Sequence, residues 1–265
     1  MISRLVSKTP DVCIIGSGII GNAISLSLSR KGYNVHVFDG NPGPGYGTTS
    51  YSSGICRMYY SLLDSVKFSW EGYHYWNQWQ DYLNYNDKTG YVSFNKCGAL
   101  FLRSDNSNKF LDKSVELMNT VEVPLSELTF LETDDIVTDM GLDIYNTYHP
   151  RNINQHDFGS TNHTNKIIGS VYFPETGYVG NPQLAAMNLY NASKALGTEF
   201  HFNTKVKKIN VNNESITSIE TLCGTTMDTP IVINCGGPHS TQINNMVFND
   251  NNIENDSNIK CRPLR

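Results

Sequence analysis

The stretch CIIGSGIIGN, residues 13–22, decides the fold because it joins an apolar run to a glycine-rich turn and then to a helical pattern. The strand-like run DVCIIG comes before the turn, and the helical segment IIGNAISLSLSRKG follows it. The residues predicted to share one apolar face of this helix are Ile20, Ile24, Ser27 and Leu28. A second strand-like run, YNVHVFDG, completes a strand–helix–strand unit, which predicts an α/β fold with a parallel sheet.

The glycine turn reads Gly16-x-Gly18-x-x-Gly21, a spacing typical of dinucleotide-binding sites. The first glycine permits the tight turn, the second lets a pyrophosphate approach the backbone, and the third lets the helix pack against the strand. Asp39 follows the second strand, where a carboxylate accepts hydrogen bonds from a ribose. An acid there disfavours the 2′-phosphate of NADP, so NAD and FAD are the two alternatives that this turn leaves.

Composition narrows the function classes. The chain has 265 residues, 39% of them hydrophobic, and a net charge of −5, which argues against a nucleic-acid partner. No apolar run is long enough to span a membrane, so we expect a soluble protein without a membrane span. Six scattered cysteines predict reduced thiols and a cytoplasmic location, with a mitochondrial location as the alternative that the basic leader, residues 1–10, suggests. The histidines show no ligand-like spacing, so no metal is predicted.

The remaining chain divides into three parts. Residues 1–88 hold the glycine turn and then a long amphipathic helix predicted over 62–83. Residues 89–177 change character, with strand-like CGALFLRS and GSVYFPETG on either side of a helical segment and an Asn/His-rich loop. Residues 178–265 begin with a well-delimited helix, for which Asn181 is the predicted N-cap, and continue with several short strands.

Three later segments carry a family resemblance. They are GTTSYSSGICR (47–57), the stretch from FPETGYVG to KVKKI (173–209) and IVINCGGPHS (231–240). In this order they resemble segments of the FAD-dependent oxidoreductase family of D-amino-acid oxidase, glycine oxidase and sarcosine oxidase. The resemblance implies a Rossmann-like FAD-binding domain made of residues 1–88 and 178–265. It also implies a discontinuous, incomplete α+β substrate domain over 89–177.

Carried over residue by residue, the resemblance implies a set of FAD contacts. The glycine turn would face the diphosphate, the Thr/Ser-rich loop the ribityl chain and flavin edge, and the last group the adenine end. These residues are Gly16, Ser17, Gly18, Ile19, Ile20, Gly21, Asp39, Gly40, Thr48, Thr49, Ser50, Ser53, Gly54, Ile55, Val206, Cys235, Gly236 and Gly237. The family usually has Glu where Asp39 stands, and some relatives carry a flavin-linking His where Tyr51 stands, so a noncovalent flavin is expected.

The implied reaction is oxidation of a C–N bond in a small amine or amino acid of the glycine, sarcosine or D-amino-acid type. The electrons would pass through flavin to oxygen or another carrier. Family segments that hold the substrate would follow the Arg-Pro at 262–263, so the chain is expected to be truncated and no catalytic residue is assigned. Arg57, Arg262 and Arg265 are expected at the surface, the alternative being that they face an anionic substrate. Two other functions stay open: a truncated, nonenzymatic flavin-binding protein and an NAD-dependent dehydrogenase.

Overall fold

The computed structural model describes residues 9–105, 108–141, 147–148, 161–162 and 167–248. The helices are α1 Ile19–Arg30, α2 Leu63–Asn77, α3 Trp79–Leu83, α4 Lys109–Thr120, α5 Phe130–Asp139, α6 Pro182–Ala195 and α7 Ser240–Phe248, with a 3₁₀ turn at Gly237–His239. The strands are β1 Val12–Ile15, β2 Val35–Phe38, β3 Ile55–Cys56, β4 Phe94–Lys96, β5 Ala99–Ser104, β6 Ser126–Thr129, β7 Thr147–Tyr148, β8 Thr161–Asn162, β9 Ile167–Phe173, β10 Gly177–Val179, β11 Glu199–His201, β12 Val206–Asn212, β13 Ser215–Thr221, β14 Thr226–Asp228 and β15 Val232–Asn234.

The chain forms two compact units. Described residues within 1–54, 79–93 and 179–265 make the first unit, and those within 55–78 and 94–178 make the second. Residues 55–78, which the sequence analysis assigns to the FAD-binding part, therefore cluster with the second unit. The helix predicted over 62–83 is also two helices, because α2 ends at Asn77 and α3 starts at Trp79.

The first unit is built on a four-stranded parallel sheet in the order β11-β2-β1-β15. All residues of β1 and β2 are buried, because a parallel sheet is covered on both faces. The predicted strand–helix–strand unit and the α/β class are therefore confirmed. The sheet order also places β1 at the centre, between the strand that follows α1 and the last strand of the described chain.

Helix α1 buries a different face from the predicted one. Ile20 is 66% exposed, and Ser27 is exposed as well. The buried residues are Gly21, Asn22, Ser25 and Leu26, while Ile24 and Leu28 pack against the sheet. The reason is that α1 also contacts α6, and Asn22 donates a side-chain hydrogen bond to the carbonyl of Ala186 on that helix at 3.0 Å. Small and polar residues allow this close approach, so apolar spacing alone misses it.

Helix α6 begins where the sequence predicts. The side chain of Asn181 accepts a hydrogen bond from the backbone N–H of Leu184 at 3.0 Å, and Pro182 occupies the first turn. Further along α6, the buried Asn188 joins four groups. Its oxygen accepts from the Trp79 indole and from a backbone N–H, and its amide donates to the Asp87 carboxylate and to a backbone carbonyl. This network ties residues 79–93 to α6 within the first unit.

The antiparallel strands β12, β13 and β14 cover the other face of the parallel sheet. Val206, Ile209 and Ile219 from these strands pack with Phe38 of β2 and Ile243 of α7 in one apolar cluster. The cluster fixes the start of β12 beside the ends of β1 and β2. It therefore forms one wall of the region where those strands end.

The second unit has its own antiparallel sheet in the order β5-β9-β6. Strands β5 and β9 correspond to the predicted CGALFLRS and GSVYFPETG segments, and α4 to the helical segment between them. Their core holds Met118, Val171 and Phe173, together with Met58 and Val66. Most of the predicted Asn/His-rich loop lies outside the described residues.

Candidate functional site

The first unit contains a cavity of about 640 Å³ at the carboxyl ends of its parallel strands. Ile15 at the end of β1, Phe38 at the end of β2 and Cys235 just after β15 line it. Open parallel sheets bind their ligands in this position, outside the carboxyl ends of the strands. The volume also lies within the range usual for small-molecule and cofactor sites, roughly 300–1,000 Å³.

Glycines shape one wall of the cavity because no side chain would fit there. Gly16 has φ +112°, and a Cβ on it would lie 2.2 Å from the backbone oxygen of Cys235. A Cβ on Gly21 would lie 1.9 Å from the backbone oxygen of Gly16, so the helix sits directly on the turn. A Cβ on Gly18 would lie 3.1 Å from the hydroxyl of Thr49. Gly16 and Gly18 therefore leave bare backbone at the cavity, while Gly21 lets helix α1 sit on the turn.

The amino end of α1 supplies hydrogen-bond donors at this wall. Gly18 is its N-cap and offers no side-chain cap, while the N–H of Ile19 donates to Thr49 Oγ1 at 3.0 Å. Within the described part of the chain, the N–H groups of Gly18 and Ile20 have no acceptor. Unpaired N–H groups and the positive end of the helix dipole together favour an anion such as a diphosphate.

Asp39 is held against the glycine turn by hydrogen bonds. Its Oδ2 accepts the N–H of Ser17 at 2.7 Å, and its Oδ1 accepts the N–H of Asn41 at 2.8 Å. A carboxylate has about four acceptor sites, so each oxygen keeps one for a ribose hydroxyl. These two bonds fix the carboxylate although its side chain is one methylene shorter than that of glutamate.

The structure brings ten of the eighteen predicted contact residues to this cavity. They are Gly16, Gly18, Asp39, Gly40, Thr48, Thr49, Val206, Cys235, Gly236 and Gly237. The other eight do not line it: Ser17, Ile19, Ile20, Gly21, Ser50, Ser53, Gly54 and Ile55. Ser17 turns its hydroxyl inwards to Asn22 at 2.8 Å, and Ile55 belongs to the second unit.

Several lining residues were not singled out from the sequence. They are Ile15, Phe38, Asn41, Gly47, Thr204, Lys205, Pro238, His239, Gln242, Ile243 and Met246. Lys205 is adjacent to the predicted Val206, so the same segment indicated it. Gln242, Ile243 and Met246 lie on α7, and no pattern in that helix pointed to a ligand.

Charge at the site comes from few groups. Burial raises the pKa of the Cys235 thiol to about 11, so this lining residue is neutral at physiological pH. Asp39 contributes a negative charge and Lys205 a positive one, beside the dipole of α1. Of the three predicted arginines, Arg57 lies in the second unit with its guanidinium 5.0 Å from the ring centre of Tyr59, whereas Arg262 and Arg265 lie outside the described residues.

The family model described as FAD dependent oxidoreductase matches residues 11–265. The chain belongs to this family. FAD is the cofactor of the family, and the cavity fits such a ligand because it combines unencumbered glycines, free helix N–H groups and a fixed carboxylate. The resemblance stated from the sequence is therefore confirmed at the level of the family, the fold and the cofactor.

Individual relatives are distant. The bifunctional protein MnmC of Cupriavidus necator, named for tRNA 5-methylaminomethyl-2-thiouridine biosynthesis, is 20% identical over 190 residues, which are 71% of this chain and 25% of that protein. L-proline dehydrogenase from P. horikoshii has a similar fold, with a TM-score of 0.72, 22% identity and coverage of 91% of this chain and 56% of that one. Glycine oxidase from Bacillus cereus also has a similar fold, with a TM-score of 0.62 and 20% identity. The match covers 88% of this chain and 56% of that one.

The chain thus spans little more than half of the length of these solved relatives and a quarter of the curated one. In the part of the chain that the structure describes, every helix is too short or too polar to cross a membrane.

The second unit has no counterpart to the glycine turn among its described residues. Its polar groups include Glu175, whose carboxylate is bound by Lys96 at 2.7 Å and by the hydroxyl of Tyr73.

Proposed function

We propose that this chain binds FAD noncovalently and takes part in oxidising the C–N bond of a small amine or amino acid. The observation that carries the proposal is the cavity at the ends of β1, β2 and β15, where Gly16, Gly18 and Asp39 meet. Bound FAD supplies the hydride acceptor for such a reaction. The family match and the fold of the amino-acid-oxidising relatives support the substrate class.

We assign the cofactor contacts as follows. The N–H of Gly18 binds the diphosphate, because it is an unpaired donor at the start of α1 and lines the cavity. Asp39 accepts from the adenosine ribose with the lone pairs that Ser17 and Asn41 leave. Val206 and Gly236 cover the adenine end, and the hydroxyl-bearing Thr48 contacts the chain that leads to the flavin.

The two parts of the proposal concern different regions. The FAD-binding role belongs to residues 1–88 and 178–265, and the substrate role to residues 89–177.

A free small molecule is favoured over an amine attached to RNA because the net charge of −5 gives no broad basic surface for a phosphate backbone. Oxygen or another carrier would accept the electrons, and the cytoplasmic location stays a prediction from sequence.

The first experiment tests cofactor binding. The purified full chain is titrated with FAD in a calorimeter and compared with the Asp39→Asn variant and with Asp228→Asn, which changes an exposed carboxylate on β14 outside the cavity. We expect Asp39→Asn to weaken FAD binding about tenfold, equal to about 1.4 kcal/mol. Asp228→Asn should bind as the unchanged chain does. Equal affinity for all three proteins would contradict the assigned role of Asp39.

A second experiment separates the alternatives. The FAD-loaded chain is mixed anaerobically with glycine, sarcosine, D-alanine or L-proline, and the visible flavin absorption is followed. Loss of the oxidised flavin band with one of these compounds supports amine oxidation. A flavin that binds but is never reduced supports a nonenzymatic flavin-binding protein. A chain that binds NAD and not FAD would favour the dehydrogenase interpretation and end the proposal.

A further inference from the structure

A cluster of three potential metal ligands lies on the edge of the parallel sheet. It consists of His36 on β2 with Glu199 and His201 on β11, and one ligand atom from each residue lies within 4.8 Å of the others. Strands β2 and β11 pair in parallel with Glu199 opposite His36. Residues two apart on a strand share a face, so Glu199 and His201 both project on the side of the sheet where His36 lies.

The two rings present nitrogens to each other at a separation typical of two ligands on one cation. His36 Nδ1 and His201 Nε2 are 3.1 Å apart and share a hydrogen bond, whose proton a cation would displace. Zinc binds imidazole nitrogen at about 2.0–2.1 Å, which in a tetrahedral site puts two such nitrogens about 3.3 Å apart. The observed pair therefore needs only a small opening to receive the ion.

The rings are also held in place. His201 stacks on Phe38 with ring centres 4.4 Å apart and on His36 at 5.2 Å.

One atom of the cluster lacks a partner. His36 Nε2 is buried and has no hydrogen-bond partner among the described residues, and the carboxylate Oε2 of Glu199 stands 3.8 Å away. An unsatisfied buried polar atom costs about 1–3 kcal/mol. With a cation between the two facing nitrogens, the proton of His36 resides on Nε2 and points towards the carboxylate. A small shift of the half-exposed Glu199 side chain then satisfies this donor.

We infer that His36 and His201 bind a divalent transition-metal cation of the zinc type between their facing nitrogens, and that Glu199 orients His36 by accepting its Nε2 proton. Imidazole nitrogen is a common protein ligand for zinc, whereas magnesium and calcium prefer oxygen ligands alone. The cation braces the short edge strand β11 against β2. This position matters for the cavity, because the carbonyl of His201 accepts the N–H of Asp39 at 3.0 Å.

Equilibrium dialysis of the full chain against Zn²⁺, followed by metal analysis, tests the inference without FAD. We expect one equivalent of zinc on the unchanged chain, and binding at least tenfold weaker in His201→Gln and in Glu199→Gln. Glu199→Gln alters a half-exposed side chain and so tests the site even where His201→Gln reduces stability. The matched controls His74→Gln and Glu214→Gln change exposed residues elsewhere and should bind as the unchanged chain does.

Cobalt(II) as a second probe identifies the ligand atoms. Nitrogen and oxygen ligands give weak visible bands, while binding to the exposed thiols of Cys97 or Cys223 gives intense near-ultraviolet charge transfer. Bands of the first kind that vanish in His201→Gln are expected. Zinc uptake that is unchanged in both site variants, thiolate charge transfer, or no uptake at all would overturn the inference. None of these results depends on FAD binding, so they leave the proposed function to its own test.

Discussion

Replacing Gly21 by alanine tests whether helix α1 must sit directly on the glycine turn. The added Cβ would lie 1.9 Å from the backbone oxygen of Gly16, about 1.5 Å closer than the 3.4 Å at which ordinary contact begins. The obstructing atom is backbone, so the helix or the turn has to move. Overpacking of this kind costs typically 1–3 kcal/mol, and we take the upper end because no flexible side chain gives way.

Alanine also brings a compensating gain. It is more favourable than glycine inside a helix by about 1 kcal/mol. The expected net effect of Gly21→Ala is therefore a loss of about 2 kcal/mol in the free energy of unfolding. The same displacement moves the unpaired N–H groups of Gly18 and Ile20, so FAD affinity should fall as well.

Gly72 offers a matched control, because it also lies inside a helix but has no heavy atom within 4 Å of the position of an added Cβ. Gly72→Ala should keep only the helix-propensity gain and raise stability by up to about 1 kcal/mol. Urea unfolding followed by far-ultraviolet circular dichroism measures both variants. A Gly21→Ala chain as stable as Gly72→Ala, or one that binds FAD with unchanged affinity, would refute the close-packing argument.

Three other predictions concern buried polar groups and thiols. Asn188→Ala should lower thermal stability by about 3 kcal/mol, because the Trp79 indole and other buried groups lose their partners. Burial raises the pKa of Asp87, but its hydrogen bonds outweigh this and hold the pKa below the ordinary 3.8. The stability that this carboxylate contributes above pH 3.8 should therefore be lost as the pH falls further. In Asp87→Asn the free energy of unfolding should decrease less steeply at acid pH. Hydrogen bonds, the largest from Thr221, lower the pKa of the exposed Cys223 to about 7, so iodoacetamide should alkylate it before the buried thiols, with a rate that rises through pH 7.

Each of these has a result that would count against it. Among the described residues, the side chain of Asn191 hydrogen-bonds only the Asp87 carboxylate, so Asn191→Ala should cost less than Asn188→Ala, and the reverse order would contradict the network. If the free energy of unfolding falls with pH in Asp87→Asn as it does in the unchanged chain, the pH dependence belongs to other carboxylates. Peptide mapping that finds Cys223 unmodified while Cys13 reacts would contradict the proposed order of reactivity, since burial raises the pKa of Cys13 to about 11.

Local sequence patterns predicted those parts of the fold in which a residue type is suited to one particular backbone position. Pro182 after Asn181 fixes the start of α6, because a fixed φ and a side-chain acceptor both suit a first turn. The glycine turn could also be predicted from the sequence, since Gly16 adopts φ +112°, which other residues rarely adopt. Ten contact residues lining the cavity were found in this way, either directly or through family resemblance.

Features that depend on tertiary contacts could not be predicted from the sequence. The break between α2 and α3 at Gln78 has no glycine or proline to mark it. The inward turn of Ser17 depends on Asn22, which itself reaches α6. The contribution of Met246 to the cavity depends on where α7 packs against β12, a contact between distant segments. In each case the deciding partner lies in another element, so spacing along the chain carries no signal.

The pairing of β11 with β2 shows how one such long-range contact acts on the site. It places His201 and Glu199 beside His36, 165 and 163 residues away, which is why no short His spacing indicated a metal. The same register lets the His201 carbonyl bind the N–H of Asp39, whose carboxylate then reaches Ser17 at the glycine turn. A short edge strand therefore supports the acid that the cavity presents to a ribose. If a cation braces that strand, zinc should strengthen FAD binding in the unchanged chain and leave it unaltered in Glu199→Gln, a comparison that calorimetry makes directly.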